Sequence, residues 1–128
     1  MTIIPNGVDL DLFNNLCIDK QPDHSILWSS RAERGLSILT EDIAPLVRKV
    51  IPDFKVLCTQ YADNSNFDYT KLDVQCLGPL SKKQLYTEMN KHAVWFYPST
   101  FDETFCITAI ENMMCNNSIA MHPAYGTG

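Results

Sequence analysis

The sequence has no run of lysine or arginine and no apolar stretch near the roughly 20 residues a membrane helix needs. The first shortage argues against a nucleic-acid surface, which wants a basic face to displace counterions. The net charge of −5 points the same way. The second leaves no transmembrane segment in the reading. Met1 to Gly7 lacks the basic segment and long apolar stretch of a signal peptide. No internal repeat or low-complexity tract is visible. An anionic ligand is still compatible with the charge, provided a local cationic site receives it.

Cysteine spacing is equally restrictive. The five cysteines (Cys17, Cys58, Cys76, Cys106 and Cys115) are odd in number, and no pair has CxxC spacing. Cys58 and Cys76 lie in apolar, strand-like runs. Buried free thiols in a reducing, cytoplasmic setting are therefore expected, not a disulfide framework. His24, His92 and His122 are scattered and adjoin no cysteine pair, so no zinc or other metal site is expected.

What is present is an α/β alternation. The 128 residues suffice for one domain, and 45% hydrophobic with 20% charged residues is an ordinary globular balance. Short apolar runs predict strands at Ile26–Ser29, Phe54–Thr59, Val74–Leu77, Ala93–Tyr97 and Ser118–Met121. Leu36, Leu39, Ile43, Leu46, Val47 and Val50 recur at helical spacing and predict a helix from Gly35 to Val50, stopped by Pro52. Ser81 predicts the cap of a helix carrying Leu85, Tyr86 and Met89 on one face. A third helix is predicted from about Thr104 to Met114. The first and last segments read otherwise: Asn6-Gly7 is a turn signal, Cys17 to Ser25 and Tyr61 to Asp73 are loop-like, and nothing after Met121 reads as a helix to cover the fifth strand. Strands separated by helices imply a parallel sheet covered on both faces.

In such a sheet, ligands bind beyond the carboxyl ends of the strands. Ser29 to Gly35, Gly78 to Ser81 and Ser99 to Glu111 fall there. The last is the most informative. Glu103 is read at the start of the third helix, and Glu111 follows after seven intervening residues. Eight helical steps cover roughly 12 Å, about the span of a ribose-diphosphate-sugar. The N–H groups of Thr104, Phe105 and Cys106 would face phosphate or sugar oxygens between the two carboxylates. On spacing alone, Glu103 reads as a helix-dipole partner and Glu111 as a solvated side chain. Trp28, Trp95, Phe96 and Tyr97 read as core, as do Phe101 and Phe105. Asp9-Leu10-Asp11 has Asp-x-Asp form but reads as coincidence. His92 reads as a helix-end dipole partner. Cys106 has no histidine placed to activate it as a nucleophile.

The string Pro98-Ser99-Thr100-Phe101-Asp102-Glu103-Thr104-Phe105, with Ala109-Ile110-Glu111 behind it, resembles the E-x7-E motif of glycosyltransferase family 4. The resemblance runs over nearly the whole chain. Ile4-Pro5-Asn6-Gly7-Val8-Asp9 with Phe13 is similar to the segment entering that family's C-terminal domain. Ser29-Ser30-Arg31-Ala32-Glu33-Arg34-Gly35-Leu36 is similar to its first strand–helix turn, and Gly78-Pro79-Leu80-Ser81 with Leu85 to the loop beside the nucleotide base.

The resemblance implies a Rossmann-like, three-layer α/β domain with a parallel sheet, one half of a GT-B fold. It implies a nucleotide-sugar donor-binding domain over residues 1–128 that is incomplete at its C-terminal end. The acceptor-binding domain, with a histidine of the catalytic region, would come from elsewhere, and the chain by itself is expected to be inactive. The implied reaction is metal-independent retaining transfer from a nucleotide-diphosphate-sugar, which is a substrate and not a cofactor. Glu111 would hold the ribose hydroxyls and Glu103, the catalytic-site carboxylate, the donor sugar. The backbone of Thr104, Phe105 and Cys106 would contact sugar and phosphate, Leu80 would lie beside the base, and Arg34 would neutralise the diphosphate. One departure is Ser29, which stands where the family usually has an arginine; Ser29, Ser30 and Arg31 are secondary candidates for donor contacts. The alternative is a nucleotide or nucleotide-sugar binding module without transferase activity. A degenerate interaction protein is a third reading, opposed by the intact Arg34, Glu103 and Glu111.

Overall fold

The computed structural model describes residues 7–14, 16, 23–60, 67–103 and 105–122. The turn signal at Asn6, Cys17, part of the Tyr61–Asp73 loop, Thr104 and the segment Ala124–Gly128 lie outside the described residues. In chain order the elements are α1 (Leu10–Asn14), β1 (Ser25–Trp28), a 3-10 turn (Ala32–Arg34), a π-helical stretch (Ile38–Ile43) running into α2 (Ala44–Arg48), and β2 (Lys55–Cys58). A 3-10 turn (Tyr69–Lys71), β3 (Gln75–Cys76), α3 (Lys82–Met89), β4 (Val94–Tyr97), α4 (Ile107–Met114) and β5 (Ser118–Met121) follow.

Among the described residues, all strand pairing is parallel. β2 pairs with β1 on one side, from Ser25↔Lys55 to Trp28↔Cys58, and with β3 on the other. β4 pairs with β5, from Val94↔Ser118 to Tyr97↔Met121. The two ladders abut through β1 and β4. The chain therefore leaves β1 toward β2 on one side and leaves β4 toward β5 on the other.

Alternate side chains of β1 and β2 divide between two apolar clusters, as the period of two demands. Ile26, Trp28, Val56 and Cys58 pack with Leu36, Leu39 and Ala44, and Leu27 and Leu57 pack with Tyr86, Met89 and Cys115. This is an α/β domain of parallel strands with flanking helices. Burying each large apolar side chain contributes roughly 1.5–3 kcal/mol, and Trp28, Leu36, Leu39, Trp95 and Tyr97 are all buried.

Several local expectations change. The helix predicted from Gly35 to Val50 is interrupted by the π-helical stretch because Pro45 follows within it. Proline has no N–H to donate and its ring clashes with the carbonyl four residues back, so the ladder shifts and the Ala44 N–H donates to the Leu39 carbonyl. The wider turn changes the phase of the apolar stripe. Leu36 and Leu39 stay buried, whereas Leu46 is 59% and Val50 83% exposed. Helix α1 had no counterpart in the sequence reading; the Asp9 carboxylate accepts from the Asp11 N–H at its start, at 3.1 Å. This gives Asp-x-Asp a structural role. The predicted strand Val74–Leu77 shrinks to β3, whose two residues are both exposed, so Cys76 is an exposed thiol and not a buried one.

Candidate functional site

The connections after β1 and β4 run to opposite sides, so the strand order reverses between them, the place where open α/β sheets commonly bind ligands. Gly35 lies against the loop after β4. It has φ of +123°, and a Cβ there would lie 3.4 Å from the Pro98 carbonyl oxygen and 3.5 Å from Ser99 Cα. Those are ordinary van der Waals distances, so the dihedral is what favours glycine there. The 3-10 turn before it carries Arg34 to the loop after β4. There the Arg34 Nη1 donates to Glu103 Oε1 at 2.6 Å, and the Tyr97 hydroxyl donates to the same oxygen at 2.7 Å. The guanidinium lies over the Phe101 ring, 4.5 Å from its centroid. Glu103 is 6% exposed. A carboxylate is stable at such depth only when paired and hydrogen-bonded, and Arg34 and Tyr97 supply both. Burial and donation to Glu103 raise the Tyr97 pKa, so the hydroxyl keeps its proton.

A second carboxylate is held in the same manner. Glu111 on α4 is 2% exposed. The Tyr86 hydroxyl donates to Glu111 Oε1 at 2.7 Å and the Lys82 ammonium to the same oxygen at 2.5 Å. Both donors come from α3, whose start is set by a reciprocal cap: the Gln84 N–H donates to Ser81 Oγ and the Ser81 N–H donates to Gln84 Oε1. The cap places Lys82 in the first turn, and Tyr86 follows four residues later on the same face. Tyr86 is also stacked on Phe13, with centroids 4.1 Å apart. Burial, then Glu111, raises the Tyr86 pKa.

No protein-family model and no curated protein matches this chain.

Two buried glutamates stand within a nine-residue segment, each paired with one cation and one tyrosine hydroxyl. An ionised carboxylate offers about four acceptor positions, so two donors do not exhaust it. Each carboxylate keeps acceptor capacity beyond its two donors, and the cations beside them, Arg34 and Lys82, are both partly exposed to solvent. Burial also excludes the sequence-level alternative of Glu111 as a solvated side chain.

The other predicted residues are distributed less tightly. Ser29 and Ser30 are buried behind the turn. Arg31 is its N-cap residue, is half-exposed, and lies 3.7 Å from Glu33. Leu80 is partly buried in the loop between β3 and α3, Phe105 is partly buried, and Thr104 lies outside the described residues. Cys106 is the N-cap residue of α4. Its thiol pKa is raised, by burial above all, which keeps it protonated.

Helix α4 begins at Ile107, so Glu103 precedes the helix instead of starting it. The N–H groups of Phe105 and Cys106 are thus loop amides, and the span to Glu111 is only partly helical. Phe101 is exposed and not core. Lys82, Tyr86, Tyr97 and Phe101 were not read as site residues. The one signal was the i, i+4 spacing of Lys82 and Tyr86 behind a cap.

Among the described residues, no cluster of three or more His, Cys, Asp or Glu side chains is placed to hold a metal. No described helix is long and apolar enough to cross a membrane. A groove of about 280 Å³ opens at the amino ends of β1 and β4, lined mainly by Ile26, Leu39, Ile43, Val47, Val94 and Phe96. It shares no residue with the two glutamates, and its apolar wall does not suit an anion. His92 lies near that end with its Nδ1 2.8 Å from Ser25 Oγ. Burial, above all, lowers its pKa, so it is a neutral core histidine and not a charged partner of the α3 dipole.

Proposed function

We propose that this chain is the donor-binding portion of a retaining glycosyltransferase of the GT-B kind, with a Rossmann-like sheet. The observation that carries the reading is the meeting of Arg34 with Glu103 beyond the carboxyl ends of β1 and β4, where the strand order reverses. A part-exposed cation beside a buried carboxylate suits a ligand with both phosphate and sugar hydroxyls. In this reading Glu103 accepts from the donor sugar, Glu111 from the ribose, and Arg34 faces the diphosphate. A fixed cation stabilises the charge that develops on the departing diphosphate without reorganising during the reaction.

The test is calorimetric titration of the chain with UDP, GDP and their sugar conjugates, first without metal and then with Mg²⁺. Saturable binding with a preference for one base is expected, weakened about 10- to 100-fold in Glu111→Ala, the scale of a lost hydrogen bond to a charged group. A folded chain that binds none of these nucleotides would overturn the reading. The second reading is a nucleotide or nucleotide-sugar binding module without transferase activity. It predicts the same binding with no cleavage of the sugar–phosphate bond when an acceptor-binding domain is supplied.

A further inference from the structure

Strands β2 and β3 meet in parallel register with Cys58 directly opposite Cys76. Register partners on neighbouring strands project from the same face of a sheet, and the strands lie about 4.8 Å apart. That separation falls inside the roughly 4.4–6.8 Å Cα–Cα range of disulfides. Beyond β3 no further strand pairs among the described residues, and β3 is only two residues long. A short edge strand can move toward its neighbour as a bond closes, where a central strand held on both sides cannot.

The two thiols differ in a way that orders a reaction. Cys58 is fully buried, whereas Cys76 is exposed. Burial, and then the adjacent Cys76 thiol, push the Cys58 thiol up to about 12. An external oxidant therefore meets Cys76 first, and Cys58 is the nearby second thiol that resolves the product.

We propose that Cys58 and Cys76 form a redox-sensitive dithiol that closes to an intramolecular disulfide in the presence of a small-molecule disulfide. In the first step the Cys76 thiolate attacks one sulfur of the external disulfide. The external S–S bond breaks, one small thiol leaves, and Cys76 carries a mixed disulfide. In the second step Cys58 gives its proton to solvent and its sulfur attacks Cys76 Sγ, releasing the second small thiol. The protein loses two electrons and two protons, and the external disulfide gains both.

The bond would act on the approach to the Glu111 clamp. The Leu77 N–H donates to the Cys58 carbonyl at 2.9 Å, and the Gln60 N–H donates to the Gly78 carbonyl at 3.0 Å. From Gly78, at φ of +74°, the chain turns through Pro79 and Leu80 to the Ser81 cap and Lys82. Oxidation would tie the root of that loop covalently to β2. The chemistry of the pair does not depend on what the carboxylate site binds.

The experiment equilibrates the folded chain in a series of reduced and oxidised glutathione ratios. Remaining thiols are then alkylated and the peptides mapped without reduction. The expected result is the paired loss of two thiols with one midpoint, and a cross-linked peptide joining the Cys58 and Cys76 segments. In Cys76→Ala, a change at an exposed edge position, Cys58 should stay reduced across the series. Circular dichroism confirms that this variant is folded. The proposal is overturned if Cys76 ends as a glutathione adduct with Cys58 still reduced at the most oxidising ratio. A Cys58 linked to any other cysteine in the folded protein would overturn it equally.

Discussion

The Arg34 guanidinium and the Glu103 carboxylate meet at 2.6 Å across 69 positions of sequence. One lies after β1 and the other after β4, and they meet because those strands abut while their connections run to opposite sides. Arg34 is part-exposed and Glu103 buried, so the two partners lose unequal amounts of hydration on pairing. Removing the arginine strands a buried charge, which is the costly direction.

Arg34→Ala should therefore lower stability by about 1–3 kcal/mol in urea unfolding. In Arg34→Ala/Glu103→Leu part of that loss should return, since no buried carboxylate is left behind. Strict additivity of the two single changes, within about 0.5 kcal/mol, would mean that the contact contributes nothing.

The tyrosines give a matched pair of tests. Tyr97→Phe and Tyr86→Phe each delete one hydroxyl that donates to a buried glutamate. Each should cost about 1–3 kcal/mol with the fold retained. If both variants melt with the native protein, the two hydroxyls contribute nothing to the stability of the fold.

Glycine substitutions test dihedral strain. Gly35 has φ of +123° and Gly78 has φ of +74°, and an added Cβ would meet only ordinary van der Waals contacts at Gly35 and nothing within 4 Å at Gly78. Gly78→Ala should cost about 1–2 kcal/mol for the left-handed backbone alone. Gly35→Ala should cost more in urea unfolding, because φ of +123° lies well outside the left-handed well that a side chain can reach. Equal losses at both positions would mean that the departure of Gly35 from that well adds nothing.

His92 makes stability depend on pH with a definite sign. Its Nδ1 meets Ser25 Oγ, Asp23 and Glu88 lie about 4 Å away, and Lys91 adjoins it in sequence. Burial outweighs the two carboxylates and holds the pKa below the ordinary 6.5. The unfolded chain then binds a proton that the folded chain refuses. The contribution of neutral His92 is complete above about pH 6.5 and is lost as pH falls from there through the lower folded value. Melting temperature should drop between pH 7 and pH 5, and His92→Gln should flatten the drop. An equally steep fall in the variant would assign it to other groups.

Much of the architecture was legible in the chain. Short apolar runs between stretches of helical spacing placed all five strands, because a strand covered on both faces needs apolar residues at successive positions. Ser81 announced α3 because a cap is a local bond between a hydroxyl and an amide three residues away. The two glutamates stood out through their place after β4. The π-helical stretch was missed because the apolar spacing around Pro45 was read for its period and not for the amide that proline lacks.

Sequence alone determined where the five strands and helices α3 and α4 lie, and which loop carries Glu103 and Glu111. Those features follow from interactions within a few residues of chain or from a regular period of burial. Tertiary structure alone decided that Arg34 reaches Glu103, that Lys82 and Tyr86 reach Glu111, that Tyr97 is both core and hydrogen-bond donor, and that Cys76 faces solvent opposite a buried Cys58. Each of those depends on which strands become neighbours and in what register. That choice is made by the packing of the whole sheet, and no local pattern of residues encodes it.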